Sequence, residues 1–372
     1  MRALIFGVLF IPLYTGASTL DCKTSLKEKT HLAPDLNAIQ HLSPDPMKKD
    51  VIQFLTSIKG KSVTLIGDLM MDENARGNEA GMVPDGAHPY VVIGSTEYLP
   101  GGAANAAMNL RALGLNVKLI GVIGDDSIGK KLIELLKDSG VDTSGILVDK
   151  NRPTTHKQRI WMSGQQMIRI DSESTEKISE DIEARLLTQV RSNLSDSILL
   201  SDYGKGVLTK SLSLQVLQWA EQNQMPSIVD PKGNDYSKYQ NATVVKPNQS
   251  EALKATGRRD LKSEEEIFEI ASQIQQNSGI GNVLISRSEK GMILQSVTQR
   301  KYQVPTHARQ VSDVVGAGDT VVASLAAGLA AHLPLEIVMQ IANLAAGIKV
   351  RDHHGVYAVT AEDLEKEVGR TP

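Results

Sequence analysis

The sequence predicts an α/β protein in which a mainly parallel central sheet is covered by helices and accompanied by a small β-sheet lid. Three observations carry this. From Val51 onward, short β-branched runs alternate with amphipathic segments, the pattern of strand–helix–strand units. Residues 88 to 98 and 154 to 171 break the alternation with β-rich sequence that is polar on one face, as a sheet covering a site would be. Glycine-rich turns run directly into helical patterns, and two acids follow the first strand, where open α/β sheets place their ligands.

In chain order, Met1-Arg2, the apolar run Ala3 to Tyr14 and the small residues Gly16 to Ser18 read as a short secretory signal. The run is too short and proline-interrupted for a membrane span of about 20 apolar residues. The alternative is an over-extended start that only resembles such a signal. Residues 19 to 48, with Pro34, Pro44 and Pro46, read as linker. This gives a signal-like or disordered extension over 1–48 and a catalytic domain over 49–372. Buried strands are expected at Val63–Ile66, Val117–Ile123, Ser197–Leu200, Ser227–Val229, Thr243–Val245 and Asn282–Ile285. Helices are expected at Ala103–Ala112, at Gly129–Ser139, and from a Ser-Glu-Glu-Glu cap at Ser263 to Gln276.

Composition narrows the function. With Lys+Arg 40 against Asp+Glu 43 in 372 residues, the chain has no basic field, so no nucleic-acid partner is expected. Aromatic residues make up 4%, so the core must be aliphatic. One cysteine, Cys22, builds neither a disulfide framework nor a cysteine zinc site. The catalytic domain is compatible with the cytoplasm and no membrane partner is expected for it, while the signal-like start leaves export or targeting open.

The strongest chemical signal is Asp313-Val-Val-Gly316-Ala317-Gly318-Asp319-Thr320, followed by an apolar helix. Small residues before a helix N-terminus let backbone N–H groups converge on an anion, with the helix dipole adding attraction. A carboxylate in that turn would be repelled by bound phosphate unless it takes a proton from an attacking hydroxyl. The bland alternative is an N-capping Asp in a glycine-rich turn. The second signal, Pro100-Gly101-Gly102-Ala-Ala-Asn105, lets backbone approach a ligand and offers a donor and an acceptor to a hydroxyl. It lacks the spacing of a P-loop or a dinucleotide fingerprint. The third, Gly67-Asp68-Leu-Met-Met-Asp72, sets two acids after the first strand, either to accept from sugar hydroxyls or as solvated loop acids.

Taken with Asn248-Gln-Ser-Glu251, this order of motifs resembles the ribokinase, or PfkB-type, family of carbohydrate kinases over roughly residues 51 to 360. Within it, the chain is most similar to the D-glycero-β-D-manno-heptose 7-phosphate kinases, which make a lipopolysaccharide core precursor. That finer likeness rests on Arg152-Pro-Thr-Thr-His-Lys157-Gln-Arg159, Gln165 to Asp171, Ser201-Asp-Tyr-Gly-Lys205-Gly, Val229-Asp-Pro-Lys232-Gly, Lys246-Pro-Asn248 and Ser286-Arg-Ser-Glu-Lys-Gly291. The resemblance implies a ribokinase-like three-layer sandwich that uses ATP and Mg2+ to phosphorylate a sugar phosphate at its anomeric hydroxyl. Asp319 would be the base, and Gly316, Ala317 and Gly318 the anion hole. Asp72, Gly101, Gly102 and Asn105 would grip the sugar, assisted by Asp68. Asn248 and Glu251 would hold magnesium and its waters. Ser286, Ser288, Gly291 and Asn343, the last on the final helix, would border the nucleotide. Asp313 matches a position that helps bind K+ in relatives, and Lys205 lies on a loop suited to meet a phosphate. Lid strands in this family pair between subunits, which implies a homodimer.

In the lid stretch, Lys157, Arg159 and Arg169 are the cations for a distal substrate phosphate, and strand alternation puts Lys157 and Arg159 on one face. The alternative there is a solvated strand face. The chain departs from the family pattern in three places. Val315 stands where relatives carry Ser or Thr, Arg351-Asp-His-His-Gly355 replaces a short glycine-containing turn, and Gly77 to Pro89 matches the lid entry only at Pro84 and Pro89. A fused nucleotidyltransferase domain is not expected, so adenylylation would fall to another protein. The competing functions are another sugar or nucleoside kinase of the same fold, or a catalytically silent sugar-binding protein.

Overall fold

The computed structural model describes residues 38–86, 88–308, 314–352 and 358–370. The described chain opens with β1 (Ile39–His41), α1 (Lys48–Ile58) and β2 (Ser62–Gly67). After Asp68, β3 (Leu69–Met82) runs out of the body and β4 (Pro89–Gly102) returns antiparallel to it. Next come α2 (Ala103–Ala112), β5 (Asn116–Ile123), α3 (Ser127–Asp138), β6 (Asp142–Val148) and the hairpin of β7 (Thr155–Met162) with β8 (Gln165–Ser172). The second half holds α4 (Glu180–Arg191), β9 (Ser197–Ser201), α5 (Lys210–Gln222), β10 (Ser227–Asp230), β11 (Val244–Val245), α6 (Gln249–Ala255) and α7 (Glu266–Ser278). It closes with β12 (Asn282–Ser286), β13 (Met292–Gln295), β14 (Lys301–Val304), α8 (Ala317–Ala330), α9 (Leu335–Asp352) and α10 (Ala361–Arg370).

Among the described residues, ten strands form one sheet in the order β1-β14-β13-β12-β11-β10-β9-β2-β5-β6. The six strands expected from sequence are its centre, β12-β11-β10-β9-β2-β5, and all pair parallel. Their side chains alternate between two apolar layers, as a two-residue period requires. Val63, Leu65 and Leu199 pack with α1, α2, α8 and α9, whereas Ile66, Ile198 and Leu200 pack with α4, α5 and α7. Helices on both faces make the three-layer sandwich.

β4-β3-β7-β8 form the separate lid sheet. Both expected lid stretches lie in it, together with β3, whose first half carries the two acids expected after the first strand. The β3 sequence carries Asp, Glu and Asn with little β propensity, and pairing on both sides, with β4 and β7, is what holds it extended. The cap expected at Ser263 is also corrected: the helix starts at Glu266, and its N-cap position, Glu265, makes no capping side-chain hydrogen bond. At the N-terminus, Ile39–His41 lies within the expected linker yet pairs parallel with β14, so the sheet reaches back past residue 48. None of the described helices is long and apolar enough to cross a membrane.

Candidate active site

The carboxyl ends of β2, β9, β10 and β11 open beside the N-terminus of α8, and this geometry builds the site. Gly316 enters α8 with φ +80, in the left-handed region, and a Cβ there would lie 3.1 Å from Asn105 Nδ2. The next residues, Ala317, Gly318 and Asp319, form the first helical turn, whose N–H groups have no partner within the helix. Asp319 is buried at 6% exposure. Asn105 Nδ2 on α2 donates to its Oδ2 at 2.5 Å, and the Tyr203 hydroxyl after β9 donates to its Oδ1 at 2.6 Å. Burial pushes this carboxyl above the usual Asp range, and nearby Asp72 adds to the rise. The Tyr203 and Asn105 hydrogen bonds and the Lys246 ammonium oppose it. Asn109 on α2 donates to the Asn105 carbonyl at 2.9 Å and accepts from Thr320 Oγ1 at 2.8 Å, which ties Asn105 to the first turn of α8.

A cleft of about 200 Å³ in front of Asp319 is walled by Asp202, Tyr203, Asp230, Lys232, Lys246, Asn248 and Glu251. Lys246 Nζ pairs with Asp230 at 3.1 Å, both little exposed, and sits 3.5 Å from where Gly318 would carry a Cβ. Burial pushes Asp230 up to about 6 despite that ammonium. Asn248 caps α6 in a reciprocal box: it accepts from the Glu251 N–H at 2.9 Å, while Glu251 Oε2 accepts from the Asn248 N–H at 3.1 Å. The other Glu251 oxygen meets Lys232 Nζ at 2.9 Å.

A second hollow of about 480 Å³ shares Lys246, Asn248 and Gly318 with the first and runs outward over α8 and α9. Ser286, Ser288, Gly291 and Asn343 all line it, beside apolar Met292, Val321 and Val350. Asn343 lies on α9 rather than the last helix and donates to the Pro305 carbonyl at 3.0 Å.

The lid brings its charges to the other side of Asp319. Directly paired strand residues share a face, so Asp72, Lys157 and Asp171 stand together, with Arg159 and Arg169 one pair along. Gly101 lies against Asp72, where a Cβ would be 2.5 Å from Oδ2, and Gly102 turns into α2 at φ +55. Arg159 Nη1 pairs with Asp72 Oδ1 at 2.8 Å, and Arg169 pairs with Asp171 at 2.9 Å with half its side chain exposed. Lys157 has no ion pair among the described residues. Burial lowers its pKa, Asp72 counters, and the Lys205 ammonium nearby lowers it further.

Two sequence-predicted residues have other partners. Asp68 is buried, and its carboxylate accepts the N–H groups of Tyr203 at 2.7 Å, Lys205 at 3.1 Å and Val207 at 3.2 Å, which pins the loop that presents Tyr203. Lys205 pairs with Glu173 at 2.7 Å and lies on the lid side, not among the residues lining the outer hollow. Asp313 lies outside the described residues. Sequence reasoning gave no role to Tyr203, Asp230 or Lys246, although each lies at or just past the carboxyl end of a central strand, the position where such sheets hold ligands.

Comparisons with known proteins give the family and the fold. The profile described as pfkB family carbohydrate kinase matches residues 61–361. The bifunctional protein HldE of Trichlorobacter lovleyi is 42% identical over 288 residues, covering 77% of this chain and 58% of its own. HldE of Pelobacter propionicus is 39% identical over 305 residues, covering 82% and 62%. The chain thus spans less than two thirds of the length of these curated relatives. Among solved structures, Arabidopsis thaliana ribokinase complexed with ribose and ATP matches with TM-score 0.66 at 22% identity, over 83% of this chain and 99% of that one. Escherichia coli phosphofructokinase-2 in complex with potassium matches with TM-score 0.69 at 21% identity, over 83% and 98%. Both share the fold described above.

Proposed function

Because the chain belongs to the pfkB family of carbohydrate kinases, we propose that it transfers the γ-phosphate of ATP to the anomeric hydroxyl of D-glycero-β-D-manno-heptose 7-phosphate, giving the 1,7-bisphosphate. The observation that carries the transfer is Asp319 held in the first turn of α8 between Asn105 and Tyr203. In that place it accepts the proton of a hydroxyl presented from the lid side. The N–H groups of Gly316 to Gly318 meet the phosphate opposite, with the Lys246 ammonium beside them. The outer hollow receives the nucleotide, with Ser286, Ser288 and Asn343 as polar contacts over an apolar floor.

Magnesium fits the cleft between the two, because Glu251, Asn248 and Asp230 offer the oxygen donors a hard cation prefers. Glu251 and Asn248 would hold it largely through water, and when bound it neutralises phosphate charge. Lys157 supports a phosphorylated sugar, since an ammonium on the Asp72 face of the lid with no ion pair among the described residues is a natural partner for a distal phosphate. The HldE relatives favour heptose 7-phosphate within that class.

A coupled assay of ADP release tests this over ribose, fructose 6-phosphate, free heptose and heptose 7-phosphate. The expected result is a kcat/KM for heptose 7-phosphate above that for free heptose by roughly tenfold or more, what one charge-assisted contact contributes. Equal rates on the free sugar, or preference for another sugar in the panel, would replace the heptose assignment. The opposite face of the lid leaves Ile93, Ile168 and Ile170 exposed, and pairing of lids into a homodimer is the accompanying proposal. Sedimentation equilibrium should show a dimer, and Ile168→Lys with Ile170→Lys should return a monomer.

A further inference from the structure

Asp68 is expected from the sequence to assist in gripping the sugar, but its surroundings leave it no oxygen to offer. At 1% exposure it is not among the residues lining either hollow. Its Oδ2 accepts the N–H groups of Tyr203 and Lys205, and its Oδ1 accepts that of Val207. These three donors alternate along one loop. An ionised carboxylate, acceptor-only on both oxygens, can take all three, whereas an asparagine would turn its NH2 toward at least one of them.

The backbone of Asp68 reaches a second element of the site. Its N–H donates to the Ser201 carbonyl at the end of β9 at 3.1 Å, and its carbonyl accepts from the N–H of Ala103, which opens α2, at 3.0 Å. Asp68 therefore touches the roots of both elements that hold the base: the loop carrying the Tyr203 hydroxyl, 2.6 Å from Asp319 Oδ1, and the helix carrying Asn105 Nδ2, 2.5 Å from Oδ2. Asp202 closes the loop from its start by accepting the Gly204 N–H at 2.7 Å, and Asp202 is itself held by the Tyr239 hydroxyl at 2.8 Å. A loop tied through successive amides presents Tyr203 to Asp319 in one place.

We propose that Asp68 is a positioning residue for the base: it takes no part in sugar binding and acts on Asp319 through the 202–207 loop and the Tyr203 hydroxyl. This deepens the kinase reading and rests on it for a kinetic arm, whereas a spectroscopic arm stands without it. A base works only within hydrogen-bond reach of the proton it takes, and small misplacements are expensive in rate. Loss of the tether should therefore appear in kcat and not in the KM for the sugar.

The test joins NMR of the full chain, with tyrosine isotope-labelled at Cζ, to steady-state kinetics. The chain has 8 tyrosines, so the signal that vanishes in Tyr203→Phe identifies Tyr203. That signal senses the hydrogen bond of the hydroxyl, so it should move in Asp319→Asn and move again in Asp68→Ala. With the sugar that the panel assay selects, Tyr203→Phe and Asp68→Ala should each lower kcat by roughly tenfold or more with the sugar KM unchanged. The double variant should be no slower than the slower single one, because both losses lie on one path. A Tyr203 signal unmoved by Asp68→Ala would overturn the proposal, as would losses that multiply, or a raised sugar KM with kcat retained. If Asp68→Ala does not fold, Asp68→Asn takes its place and the same outcomes decide. If the wild-type protein turns over no sugar in the panel, the kinase reading has failed, and the NMR comparison still judges whether Asp68 holds Tyr203 on Asp319.

Discussion

Competing surroundings act on Asp319, the proposed base. Burial favours its neutral form, and the hydrogen bonds from Tyr203 and Asn105 favour the carboxylate that the reaction needs. Asp319→Asn should lower kcat by roughly 10²–10⁴-fold, the usual range for losing a general base, with ATP binding by calorimetry retained. Turnover within a few-fold of wild type would remove it from the mechanism. The sign of the pH dependence follows from the direction of its shift. The base works ionised and its pKa lies above the ordinary Asp value, so activity is lost as pH falls through that raised pKa. Tyr203→Phe removes a hydrogen bond that lowers it, so the acid limb of kcat/KM should move to higher pH. An unmoved limb would mean that another group sets it.

At the scale of elements, the lid strand β7 and the α6 cap each combine a structural duty with a proposed ligand duty, and substitutions can separate them. Arg159 is tied to Asp72, so its loss also frees a carboxylate near the base, whereas Lys157 carries no such pair. Lys157→Ala with Arg159→Ala should raise KM for the sugar phosphate by about tenfold or more, with KM for ATP little changed. A phosphate contact is made in ground and transition states alike, so kcat should fall less than KM rises. An unaltered sugar-phosphate KM would move the contact to Arg169 or Lys232. For α6, Gln can replace Glu in a capping box. Glu251→Gln should therefore keep the wild-type melting temperature while raising the magnesium concentration needed for half-maximal rate. Asn248→Ala should cost about 1 kcal/mol of stability through the lost cap. A destabilised Glu251→Gln protein would show that its ion pair with Lys232 matters more than its place by the metal.

Across the whole molecule, the N-terminal edge is where sequence and structure part. Beyond β1, Gln340 Nε2 donates to the Ser43 carbonyl at 3.0 Å, and Asp45 meets His307 Nδ1 at 2.8 Å. His307 also meets Glu367 on α10 at 3.2 Å, which joins the start of the fold to its end behind the outer hollow. Removing residues 1–48 should therefore lower the melting temperature relative to removing 1–37. Identical melting curves for the two truncations would restore the boundary at 48.

The central strands were legible because burial on both faces demands continuous β-branched runs, and local sequence records that demand. The glycine turns at Gly101–Gly102 and Gly316–Gly318 were legible as turns running into helices for a related reason: they depend on backbone conformations that few residues allow. β3 was not, because its extended form comes from β4 and β7 rather than from its own residues. Tyr203, Asp230 and Lys246 carry no local signal of chemistry, since their place is set only when strand ends far apart in sequence converge on α8. Asp68 and Lys349 lie further still from what a sequence can state. Whether a carboxylate meets a sugar or three backbone N–H groups, and whether a lysine is solvated or enclosed beside the first turn of α8, depends on which atoms the tertiary fold brings within reach.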